Sequence, residues 1–247
     1  MNKLFVIALL ICFITVGVLA IDWGLVASYP TPGPNPRGYS SDHPEAGYII
    51  MDGPAPRVYY YSWERGSILS SFPAPGGLGA WGVFYLYPRL YITNNLTSWI
   101  YEATTQGSVI NSFRCPFDGP ADLGLQGYYP VGLLVAIPDR NLIALLDRTT
   151  GSLVGTYAGP GSRPTAASGY AHIYVADAGT HTIYENGVPI IRGIQNPVGL
   201  GSAWFMEPPY DWHIYVIDDA TDRYYYYFWG SGGVFPASLG RVKALFE

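Results

Sequence analysis

The chain has 247 residues, of which 49% are hydrophobic and 16% aromatic but only 13% charged, against about a quarter charged in an average soluble domain. Its formal net charge is −5 and its 13 Lys and Arg form no cluster, so the electrostatic footprint of a nucleic-acid-binding protein is missing. Thirty glycines and 21 prolines are scattered among short Val-, Ile- and Tyr-rich runs, a pattern of many strands joined by many turns, with no long amphipathic helix.

The first predicted element is an export leader. Lys3 supplies a positive start, Leu4 to Ala20 is uninterruptedly apolar, and Val18-Leu19-Ala20 fits a small-residue cleavage site. Residues 1–20 are therefore read as a signal peptide and residues 21–247 as one domain. The competing reading is an uncleaved anchor, since this apolar run lies at the short end of what spans a bilayer. Cleavage leaves no membrane span and places the product outside the cell, in a periplasm or on the cell surface. Cys12 follows Ile11, where a lipoprotein signal would want Gly or Ala. Cys115 is then the one cysteine of the mature chain and is read as a structural thiol that cannot form an internal disulfide.

A repeat follows the leader. GLVASYPTPG begins at Gly24, GSILSSFPAPG at Gly66, GSVINSFRCPFDG at Gly107, GSLVGTYAGPG at Gly151 and the more degenerate GVPIIRGIQNP at Gly187. Successive intervals are 42, 41, 44 and 36 residues, and a weak member near Gly230 adds 43, close to the period of a four-stranded propeller blade. Between the glycines each unit repeats three further strands. The second is clearest, at Tyr48–Asp52, Tyr91–Asn94, Leu134–Ile137, Tyr174–Asp177 and Tyr215–Asp218; four of the five close on Asp or Asn, where an Asx-turn is expected. A third strand follows each turn, and the first is rich in small residues, as suits strands converging on an axis. The fold expected is an all-β propeller of four-stranded blades, five in number, with the N-terminal strand Leu25–Tyr29 closing the ring. Six blades is the alternative, because the SLGRVKALF tail (Ser238 to Phe246) competes for the closing role.

The repeat resembles known propeller families. His172 to Gly187 (HIYVADAGTHTIYENG) resembles the NHL repeat, and Leu90 to Phe113 (LYITNNLTSWIYEATTQGSVINSF) resembles the YVTN repeat of bacterial and archaeal surface propellers. Ala144 to Tyr157 is similar to the repeat of pyrroloquinoline-quinone propellers, but the eight blades and cofactor contacts of a quinoprotein dehydrogenase are not matched. These likenesses support the fold and leave function open, because such repeats serve enzymes and scaffolds alike.

Candidate chemistry is sparse. His43, His172, His181 and His213 form no metal-ligand spacing, and His172 and His213 recur just before IYV as part of the repeat. Asp52, Asp139, Asp177 and Asp218 sit at strand ends where a channel mouth would lie. Convergence of three or more on one point would favour an enzyme, and separate capped turns would disfavour it. Asp218, Asp219 and Asp222 crowd one turn that calcium could use, although a solvated acidic turn is preferred; Asp118 and Asp122 flank Gly119-Pro120 as a comparable acidic loop. No G-x-S-x-G elbow occurs. The unusual supply is aromatic: Tyr60 and Trp63 in one third strand, Tyr225 and Trp229 in another, read first as packing between blades and second as a stacking platform for a sugar or apolar ligand. The expected function is a non-catalytic, monomeric scaffold, without a required cofactor, that binds a protein, glycan or cell-envelope component through loops at one end of the ring. The alternative is a hydrolase or lyase acting on a carbohydrate or lactone with loop carboxylates and calcium.

Overall fold

The computed structural model describes residues 23–43, 46–63, 65–127, 131–169, 172–204 and 212–229. After strand β1 (Trp23–Pro30), blade 1 contains β2 (Pro36–His43), β3 (Ala46–Met51), β4 (Arg57–Ser62) and β5 (Ser67–Pro73). Blade 2 contains β6 (Ala80–Leu86), β7 (Arg89–Asn94), β8 (Trp99–Thr104) and β9 (Val109–Arg114), and blade 3 β10 (Leu123–Gln126), β11 (Gly132–Ile137), β12 (Leu142–Leu146) and β13 (Leu153–Ala158). Blade 4 is β14 (Pro164–Gly169), β15 (Ile173–Asp177), β16 (Thr182–Glu185) and β17 (Val188–Arg192). Blade 5 joins β18 (Pro197–Trp204), β19 (Trp212–Asp218) and β20 (Arg223–Trp229) to β1, which pairs antiparallel with β20 from Trp23 opposite Trp229 to Pro30 opposite Arg223.

The ring is therefore a five-bladed propeller closed by its N-terminal strand. The six-blade alternative is overturned, because β1 completes blade 5 and begins no further sheet. The SLGRVKALF tail lies outside the described residues. Hydrophobic clusters fill all five interfaces between neighbouring blades. This explains why second strands such as β3 and β11 are buried at every residue while the outer strands stay largely exposed. Sheets covered on both faces need apolar residues on both sides of the pleat, so these second strands read as continuous apolar runs.

The inner strands meet at the axis, and there side-chain volume is the limiting quantity. The third residue from the start of each inner segment is Gly38, Gly82, Asp122, Ala166 or Gly199. A Cβ on Gly38 would lie 2.5 Å from the Gly82 Cα and 2.6 Å from Asp122 Oδ1, and one on Gly199 2.7 Å from the Arg37 carbonyl oxygen. Glycine is needed there for close backbone approach. Four small residues leave room for one polar side chain, and Asp122 fills it. Its Oδ1 accepts the Val83 N–H at 3.0 Å, and its Oδ2 accepts those of Leu200 at 3.0 Å and Tyr39 at 3.4 Å. The Leu123 N–H also donates to it.

One wholly buried carboxylate thus joins blades 1, 2, 3 and 5. Burial pushes its pKa well above the ordinary carboxylate range, and the four amide donors offset this only in part. Asp122→Ala removes the shared acceptor, and each stranded amide costs about 1–3 kcal/mol. The variant should lose at least about 3 kcal/mol, read as a fall in the urea midpoint, while Asp122→Asn, which keeps the volume and one carbonyl oxygen, should lose less. An unchanged midpoint in the alanine variant would show that the axis does not depend on this group.

Candidate functional site

The upper end of the ring carries the turns from second to third strands and the links between blades. The predicted carboxylates lie there, one each in blades 1, 3, 4 and 5, and those of Asp177 and Asp218 bond to local turns and links. Asp177 accepts the Arg163 N–H at 2.7 Å and the N–H and hydroxyl of Thr180 at 2.8 and 2.9 Å. Asp218 accepts the N–H groups of Gln195, Asn196 and Ala220 at 3.0–3.2 Å. Asp52 accepts the Gly53 N–H at 2.8 Å. Asp139 lies in the 3-10 turn Pro138–Arg140, where Asn141 ties the turn to the link that follows blade 3 by donating to the Gly161 carbonyl at 3.0 Å. In blades 4 and 5 the strand-end Asp therefore staples its own turn to the incoming link.

One junction at this end does gather charges from different blades. Arg37, at the start of β2, donates to Asp52 at 3.2 Å and to Asp219 of blade 5. Its guanidinium stands 4.5 Å from the ring centre of Trp81, at the start of β6. Trp81 packs in turn against the cluster between blades 3 and 4. Arg37 Nε and Trp81 Nε1 are buried donors with no hydrogen-bond partner among the described residues. The mouth is thus a floor of one cation, two carboxylates and an indole above the closed axis. Asp222 of the same acidic turn accepts the Asn35 N–H at 3.0 Å, so Asp218, Asp219 and Asp222 serve three different sets of partners. Among the described residues no three His, Cys, Asp or Glu side chains form a metal-holding group.

Next to this floor, blade 2 presents apolar side chains to solvent. Asn94 is fully buried and works in both directions. Its Nδ2 donates to the carbonyls of Gly76 and Leu78, at 3.2 and 2.8 Å, and its Oδ1 accepts from Leu96 N and Thr97 N at 3.1 and 2.9 Å. One side chain so fastens the Gly76–Gly79 link to the turn that follows β7. These two loops hold Leu78 at 59% and Leu96 at 72% exposure, followed by Trp99 at 38%. Aliphatic groups displayed on tightly bonded loops are suited to association, since little loop entropy remains to be lost.

The predicted aromatic candidates are not brought together. Tyr60 stacks on Tyr48 at 4.8 Å in the interface of blades 1 and 2. Trp63 is buried in the interface of blades 5 and 1, stacked 3.9 Å from Tyr224. Tyr225 packs into the interface of blades 4 and 5, and Trp229 stands opposite Trp23 at the lower end. The histidines also have local partners: His172 pairs with Glu185, His181 Nδ1 with the Gln195 carbonyl, and His213 Nδ1 with the Tyr226 hydroxyl. The side chain of His43 lies outside the described residues. Cys115 is buried with its thiol pKa pushed up to about 11, mainly by burial, as expected of a structural thiol. The Asx-turn expected at Asn94 is present, whereas sequence reasoning missed Arg37 and Trp81 and read Asp122 only as part of an acidic loop. Aligning the starts PRG, AWG, PAD, PTA and PVG of the inner segments would have shown an Asp where other blades carry a small residue.

No family model matches the sequence, nor does any curated protein. Solved structures do. Myxococcus xanthus glutaminyl cyclase aligns with a TM-score of 0.64 at 12% identity over 84% of this chain and 97% of its own. Staphylococcus aureus virginiamycin B lyase gives 0.45 at 20% identity over 81% of this chain and 68% of its own. The Neurospora crassa Pan2 WD40 domain gives 0.47 at 10% identity, over 87% and 97%. The first likeness is one of fold, and it agrees with the propeller seen directly in the sheets.

Burial holds the His213 imidazole neutral, with its pKa pushed down to about 4. The unfolded chain titrates near 6.5, so it takes up a proton that the folded protein refuses as pH falls. Stability should therefore drop between about pH 6.5 and pH 4 by as much as roughly 3 kcal/mol from this residue. Denaturant midpoints measured across that range should show a shallower decline in His213→Phe. Parallel declines would assign the acid sensitivity elsewhere.

Proposed function

We propose that this protein is an exported, non-catalytic propeller scaffold that binds a protein partner of the cell envelope through the upper end of blade 2 and the adjoining floor. The observation that carries this reading is the rigid display of Leu78 and Leu96 on two loops stapled by the buried Asn94. An apolar anchor on ordered loops beside a polar rim of Arg37, Asp52 and Asp219 has the make-up of an association surface. The carboxylates that an enzyme of this architecture would aim into a channel instead brace turns, and the axis below them is filled by Asp122. The NHL- and YVTN-like repeat suits the same role, as does the export leader.

The test uses the full chain immobilised against detergent extracts of the source envelope, with the captured protein identified and its affinity remeasured in purified form. Removing two anchoring leucines should weaken binding about tenfold or more. Leu78→Ser with Leu96→Ser should show that loss while melting as the parent does, and Leu153→Ser, on an outer strand, should bind normally. Equal binding by all three proteins would remove the upper surface of blade 2 from the account.

A further inference from the structure

The five outer strands begin at the lower end with a pattern that packing between blades does not use. Within three residues of their turn glycines, β5, β9 and β13 carry the aliphatic pairs Ile68-Leu69, Val109-Ile110 and Leu153-Val154. Blade 4 contributes Val188 and blade 5 Leu25 at the same level. All eight side chains are between 44% and 61% exposed. Higher in four of these strands the residues become small or polar, with Ser70-Ser71, Asn111-Ser112, Gly155-Thr156 and Ala27-Ser28, whereas blade 4 carries half-buried Ile190 and buried Ile191 there.

A strand with water along one face alternates apolar and polar residues. Consecutive exposed aliphatics instead divide the ring by height. An apolar band occupies the lowest two or three residues, about 7–10 Å of strand, and a more polar flank stands above it. Two residues in turns at the same end, Tyr87 at 82% and Val131 at 46% exposure, extend the apolar character beneath the band. Trp23 stands opposite Trp229 there as well.

Three features decide what covers this band. First, it encircles the molecule at one height, so a partner on one side would leave most of it wet, and a second copy stacked end to end would leave the flanks wet. A bilayer lying perpendicular to the ring axis meets all five blades at once, and its interface takes in apolar groups to about 5–10 Å, the height of the band. Second, the exposed aromatic ring of Tyr87 and the Trp23–Trp229 pair are of the kind that the headgroup layer favours. Third, β1 starts at this end, and the apolar run Leu4–Ala20 ends two residues before it in the sequence. We propose that the lower end of the propeller is a membrane-docking surface, seated in the lipid interface by the outer-strand aliphatics, with the upper end turned toward solution.

The test uses the full chain carrying Cys12→Ser, in which Cys115 is buried and takes no label. The fluorophore NBD is attached to Leu69→Cys, Ile110→Cys or Val154→Cys, or at the upper end to Leu78→Cys or Leu96→Cys. Each protein is mixed with phosphatidylcholine vesicles with and without nitroxide-bearing acyl chains. The nitroxide should quench the three lower sites severalfold more than the two upper ones, and high salt should not reduce the effect, because apolar insertion is not screened. Adding Leu69→Ser and Ile110→Ser should at least halve the quenching at Val154→Cys, which separates docking of the band from tethering by the leader; the melting temperature of that variant verifies that it folds. No quenching at the lower sites, equal quenching at both ends, quenching unchanged by the two serines, or pairing of two copies through the band in vesicle-free solution would each overturn the proposal.

Discussion

A propeller built from five radial sheets must reconcile the convergence of five inner strands with the backbone N–H groups that those strands bring to the axis. Here the conflict is resolved by one carboxylate. Asp122 accepts N–H groups from Tyr39, Val83 and Leu200 as well as from its neighbour Leu123, and the surrounding Gly38, Gly82, Ala166 and Gly199 are small enough for the ring to close on it. Buried amides without an acceptor are rare in folded proteins because each is costly. A shared carboxyl group satisfies several at once, and its own burial is tolerable because it is so fully bonded.

This constraint shapes what lies above. With the axis filled, the mouth becomes a shallow floor on which Arg37 rests against Trp81 between Asp52 and Asp219. Beside this floor, Leu78 and Leu96 on the stapled loops of blade 2 are exposed departures from the repetition. Five similar blades give stability through five similar interfaces, and departures from the pattern leave the surfaces available for specific contacts.

Much of the fold was legible because the repeat is written in residues with strong backbone demands. Gly66, Gly107, Gly151 and Gly187 all adopt positive φ at the turn into an outer strand, so the spacing of glycines counted the blades. Leu25–Tyr29 was recognisable as an outer strand lacking the rest of its blade, and it does close the ring. The site was far less legible. Asp52, Asp139, Asp177 and Asp218 stood out as acids in loops, but an acid that caps a turn and an acid that lines a channel have the same local sequence. Asp122 was hidden for the converse reason: beside Gly119-Pro120 it resembled a solvated loop residue, and only the meeting of strands separated by up to 83 residues makes it the centre of the molecule. The tyrosine runs were ambiguous because a blade face and a ligand platform require the same rings.

The most direct measurement of the axial account is hydrogen exchange at single amides. If Asp122 holds the inner strands together, the N–H groups of Tyr39, Val83 and Leu200 should exchange only through global unfolding in the native protein. All three should lose protection together in Asp122→Ala while amides of the outer strands change little. Protection at these three positions that is independent of one another, or undisturbed by the substitution, would contradict the claim that one carboxylate closes the ring.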